Sequence, residues 1–74
     1  MEYIFFRTSS SNIDRVKRDP MGNVITVAST VVTGNVSDDE IACYWRLGVV
    51  YIIYTHTTNG ITIVSSSDDA ETFS

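Results

Sequence analysis

Cysteine, histidine, proline and tryptophan each occur once in these 74 residues, and each scarcity closes off a class of protein. With Cys43 alone, no disulfide can form within the chain. Cys43 and His56 together fall short of the four Cys/His ligands that structural zinc requires. Basic residues are also few, five against nine acidic, for a net charge of −4. That balance argues against a general nucleic-acid binder, whose affinity comes from neutralising phosphates. Long apolar runs are missing as well. The longest, Leu47 to Tyr54, is far below the roughly 20 residues that span a bilayer. The opening residues have no basic leader and too short an apolar run for an export signal. One thiol and no such signal make the cytoplasm the expected compartment. The sequon Asn35-Val36-Ser37 carries little weight there.

What is present is an ordinary apolar fraction, 43%, which supports a folded domain. The length allows one domain, residues 1–74, with a polar tail from about residue 68. A chain of about 60 residues buries only roughly 60% of its unfolded surface, so the core is marginal. Disulfide and zinc being unavailable, self-association is the expected support.

Tyr3 to Thr8 is aromatic and β-branched and reads as a strand with two apolar faces. Ser9-Ser10-Ser11-Asn12 is a polar connection. Asp19-Pro20-Met21-Gly22-Asn23 predicts a three-residue hairpin loop with a bulge. Proline presets one dihedral, aspartate bonds back to the backbone and glycine closes the turn left-handed. It joins a strand over residues 13–18 to one over residues 24–33. Asn59-Gly60 predicts a two-residue type I′ hairpin that sets Thr58 opposite Ile61 and Thr55 opposite Val64.

Between these hairpins, Ser37-Asp38-Asp39-Glu40 has the form of a capping box, flanked by Val36 and Ile41 as a hydrophobic staple. Acids at the start, Arg46 in the last turn and Gly48 at the end complete the signature of a helix over residues 38–47. The mediocre helix propensity of Cys43-Tyr44-Trp45 dissents. The expected fold is therefore α+β: about five antiparallel strands, ordered β-β-β-α-β-β, with one short helix packed on one face. Ile41 and Trp45 should lie inside.

Few residues suggest chemistry. His56 at a hairpin end reads as structural, since a catalytic role needs a nucleophile or carboxylate held against it. Cys43 beside acids reads as packed and inert. Asp38, Asp39 and Glu40 are explained by capping, and Asp68, Asp69 and Glu71 by a solvated tail. Arg15, Lys17 and Arg18 form the one basic cluster. They suit either a charged edge strand that blocks aggregation or a site for phosphate. No catalytic set, cofactor motif or metal set is legible.

A single three-turn helix cannot cover such a sheet. The face carrying Tyr51, Ile53 and Val64 is the expected contact with a partner or with a second copy in a homodimer. The expectation is a small non-enzymatic binding protein, an inhibitor or adaptor acting by protein–protein interaction. By composition it is analogous to the accessory proteins of viruses and mobile elements, for which the compartment would be a host cytoplasm. The alternative is a nucleotide- or nucleic-acid-binding module using Arg15, Lys17 and Arg18.

Overall fold

The computed structural model describes residues 2–74. Six strands follow one another: β1 (Glu2–Arg7), β2 (Ile13–Arg18), β3 (Val24–Val32), β4 (Ala42–Arg46), β5 (Val49–His56) and β6 (Gly60–Ser66). They form two three-stranded antiparallel meanders, sheet A ordered β1-β2-β3 and sheet B ordered β4-β5-β6. No helix occurs among the described residues. The fold is all-β, and this corrects the α+β expectation of one sheet with a helix on it.

The expected helix fails for a local reason. Residues 42–46 run extended and pair with β5, from Ala42 opposite Ile53 to Arg46 opposite Val49. Cysteine, tyrosine and tryptophan favour a pleated strand, and cross-strand neighbours reward them there. Gly48 does not end a helix. It closes the two-residue β4–β5 hairpin, with Leu47 at φ 51° and Gly48 at φ 80°, the positive pair of a type I′ turn. The supposed capping residues form an exposed loop, in which the Asp38 carboxylate accepts from the Glu40 amide at 3.0 Å.

The loop at Asp19–Asn23 folds as its residues imply. Asp19 Oδ1 accepts from the amides of Met21 and Asn23, each at 2.9 Å. Strand β2 is nevertheless the central strand of sheet A rather than a charged edge. The Asn59-Gly60 hairpin differs from expectation. Only Gly60 is left-handed there, at φ 76°, whereas type I′ needs two such residues. His56 pairs with Gly60 and Thr55 with Ile61, so the loop holds three residues. His56 Nδ1 accepts from the amides of Thr58 and Asn59 at 3.0 and 3.1 Å and stabilises that wider loop. The register moves by an odd number of residues, which turns β6 over relative to β5.

The inner faces share one small core of Ile13, Val32, Val36, Ile52 and Tyr54, with Phe5, Val31, Ile41, Val64 and Phe73 packed around it. Ile13, Val36 and Ile52 are fully buried. Val36, between the sheets in sequence, joins them in space. Its amide donates to Ser11 O and its carbonyl accepts from Arg7 Nε. On either side, Ser37 N donates to Thr55 O and Thr57 N to Asn35 O. The molecule is flat, 17 Å along its shortest axis against 38 Å along its longest. Trp45 was expected inside but is 65% exposed, and Cys43 on the same edge strand is exposed rather than packed.

Two substitutions test these turns. A left-handed conformation costs an ordinary residue roughly 1–2 kcal/mol, and asparagine tolerates it better than leucine. Leu47, 83% exposed, has little packing to lose. Leu47→Asn is expected to raise stability by about 1 kcal/mol in a urea titration. His56→Ala removes two acceptor bonds and is expected to lower it by about 1–2 kcal/mol. In its amide spectrum, the Thr58 and Asn59 protons should exchange faster than in the unmodified chain.

Candidate functional site

Strand alternation and the register of sheet B decide which side chains face out. Ala42, Tyr44 and Arg46 from β4 stand beside Ile53, Tyr51 and Val49 from β5, and beyond them are Ile61, Ile63 and Ser65 from β6. Nothing covers this face among the described residues. Tyr44 is 52% exposed, Ile63 60% and Ile61 79%. The Tyr44 and Tyr51 rings stack at 4.8 Å between centroids, only 14° from parallel. A groove of about 310 Å³ opens at one end of the face, lined by Glu40, Ile41, Ala42, Ile53, Thr55 and Ile61. Asp38 and Asp39 lie in the same exposed loop.

The structure thus brings Tyr51 and Ile53 together, as the sequence implies, and adds Tyr44, Ile61 and Ile63. It places Val64 elsewhere. Val64 pairs with Ile52 on the inner face and packs against the core. The odd register shift exchanged Val64 for Ile61 and Ile63. Sequence reasoning missed Tyr44 because it sat in the expected helix.

The basic cluster takes a different form from the one its sequence suggests. Arg15 and Lys17 share the inner face of β2 and are only 3% and 4% exposed, while Arg18 faces outward near Glu2. The expected solvated tail covers them. Lys17 Nζ donates to Glu71 Oε1 at 2.8 Å and lies 3.6 Å from Asp69. Arg15 Nη1 donates to Ala70 O at 2.7 Å and to Glu71 Oε2 at 3.1 Å. Buried cations need such partners, because desolvating an unpaired one is expensive. Tyr3, opposite Lys17, donates its hydroxyl to Asp69, and Phe73 meets Phe5 edge to face at 5.8 Å between centroids. Ala70 is fully buried, and Ser74 exchanges two backbone hydrogen bonds with Ser65. Residues 67–74 therefore form a strap from sheet B across the inner face of sheet A.

The titrations follow these contacts. Lys17, by hydrogen bond and by charge, holds the Glu71 carboxyl below its ordinary value, with Arg15 adding to the effect. Asp69 is lowered mainly by the Tyr3 hydroxyl and further by Lys17. The same bond is the main reason the Tyr3 hydroxyl is pushed up to about 12. Asp68 is held far below the carboxylate range by the Ser66 and Thr72 hydroxyls and the Thr72 amide.

No group of three or more His, Cys, Asp and Glu side chains fit to hold a metal occurs among the described residues. No helix among them is long and apolar enough to cross a membrane. Comparison of the chain with protein-family models, with curated proteins and with solved structures finds no match.

Acid should release the strap. Carboxylates lowered on folding stabilise the fold above their unfolded values, about 3.9 for Asp and 4.3 for Glu, and lose that contribution as pH falls through the lowered ones. Below about pH 4, the cross-peaks between the Phe5 and Phe73 rings are expected to fade. Glu71→Gln should weaken them already at neutral pH and flatten the acid dependence.

Proposed function

We propose that the chain is a non-enzymatic binding protein, an inhibitor or adaptor, that engages a protein partner through the outer face of sheet B. One observation carries this reading: an uncovered apolar face formed by Tyr44, Tyr51, Ile53, Ile61 and Ile63. Contiguous apolar surface on a small protein marks an interaction site, and stacked tyrosines supply contact area at low entropic cost. The groove beside the face is mostly apolar, with Glu40 in its lining. The fitting partner inserts an apolar side chain there. Without that partner, the same face is where two copies would pair. The phosphate reading draws little support from a cluster in which Arg15 and Lys17 are buried and matched by Glu71 and Asp69.

Affinity capture from the native host, with the unmodified chain and Ile63→Asp side by side, tests the proposal. Ile63 is exposed, so the variant is expected to stay folded, within about 0.5 kcal/mol of the parent. A true partner should bind it at least about tenfold more weakly, with little dependence of the parent complex on salt. A partner that binds both chains equally, or that high salt removes, would overturn the assignment to this face.

A further inference from the structure

The inner face of β1 and β2 presents two rings and two cations: Tyr3 opposite Lys17 and Phe5 opposite Arg15. They form a groove that sheet B leaves to the strap. The strap's fit is incomplete in two respects. Arg15 Nε is buried with no hydrogen-bond partner. The strap's turn also holds two consecutive non-glycine residues left-handed, Asp69 at φ 63° and Ala70 at φ 62°. The turn strain costs free energy in the closed chain alone, whereas the unpartnered Nε costs the same whichever copy's strap lies over it.

The strained turn carries contacts of its own, Ala70 O on Arg15 and Asp69 on Tyr3 and Lys17, and the strap's other contacts with sheet A follow it. The strain is in the turn at residues 69 and 70. Glu71, which holds Arg15 and Lys17, and Phe73, which packs on Phe5, come after it in sequence. A turn that straightens relaxes Asp69 and Ala70 and gives up their own contacts with Arg15, Tyr3 and Lys17, while what Glu71 and Phe73 can bind is unchanged. A second copy of the chain carries an identical groove. Short strained hinges of this kind favour exchange of a segment between copies, since the exchanged pair keeps the Glu71 and Phe73 contacts and sheds the strain.

We propose that Tyr3, Phe5, Arg15 and Lys17 form a binding groove for an acidic segment with an aromatic residue two positions after its glutamate. In the monomer, residues 71–73 of the same chain fill it. At high concentration, the same residues of a second copy fill it reciprocally. This site is separate from the outer face of sheet B and does not depend on the reading of that face.

The test uses the full chain carrying Ile63→Asp, so that pairing through the outer face is suppressed. Sedimentation equilibrium up to about 1 mM should show a dimer that Ala70→Gly weakens at least about tenfold, because glycine relieves the strained turn. A chain with Arg15→Glu and Lys17→Glu, mixed with one carrying Asp69→Lys and Glu71→Lys, should give a one-to-one heterodimer that neither forms alone. Should the charge variants fail to fold, a fluorescent peptide of residues 67–74 is titrated into a chain carrying Ile63→Asp, Glu71→Ala and Phe73→Ala, whose own strap no longer competes for the groove. It should bind, and salt should weaken the binding. A monomer at every concentration that binds no peptide would overturn both groove and exchange. A dimer unaffected by Ala70→Gly would overturn the exchange. Peptide binding without a dimer would also overturn the exchange and would assign the groove to an acidic segment of another protein.

Discussion

Val36 is the residue on which the two sheets depend. Each sheet is a meander that forms its hydrogen bonds with its own neighbours, and a three-stranded meander has one face to bury and little to bury it against. Val36 supplies the connection. Its amide and carbonyl are satisfied by Ser11 and Arg7 at one end of sheet A, while its neighbours bond to Thr55 and Thr57 at the end of β5. Its side chain completes the cluster around Ile13 and Ile52. Together with the strap, this one residue does for the fold what a long interface does in a larger sandwich. The fully buried side chains are correspondingly few.

Legibility in the sequence followed the strength of the local signal. At Asp19–Asn23 several devices agree, since Pro20, Gly22 and the Asp19 carboxylate favour the same loop, and β2 and β3 follow from it. At residues 37–48 several devices agreed on the wrong answer. A capping box, a staple and a terminal glycine are cheap to satisfy, and every one of them is also compatible with an exposed loop followed by a type I′ turn. What decided was the segment between them. Cys43, Tyr44 and Trp45 gain more as partners of Ile52, Tyr51 and Val50 than as one turn of an exposed helix. Tertiary pairing of this kind is not written in the residues that form the turn.

The candidate face was half legible for the same reason. Tyr51 and Ile53 alternate within one strand, so their shared face needs no knowledge of a partner strand. Whether Val64 or Ile63 joins them depends on loop length, and that depends on an imidazole reaching two amides across the loop. The basic cluster was legible as a cluster and illegible as a buried one. Its partners Asp69 and Glu71 come more than fifty residues later, and composition alone makes those acids look like solvated ends.

The separation of Arg15 from Glu71, 56 positions along the chain, also bears on the order of folding. Every pairing within a meander joins neighbouring strands through a short turn, so each sheet can form by closing small loops quickly. The strap cannot. It closes a loop of most of the chain and rewards that closure only once β1, β2 and β6 already exist to receive it. It is therefore the last element to settle. Until it does, the nascent protein carries two bare cations beside two aromatic rings, a short-lived surface unlike any that the finished fold displays.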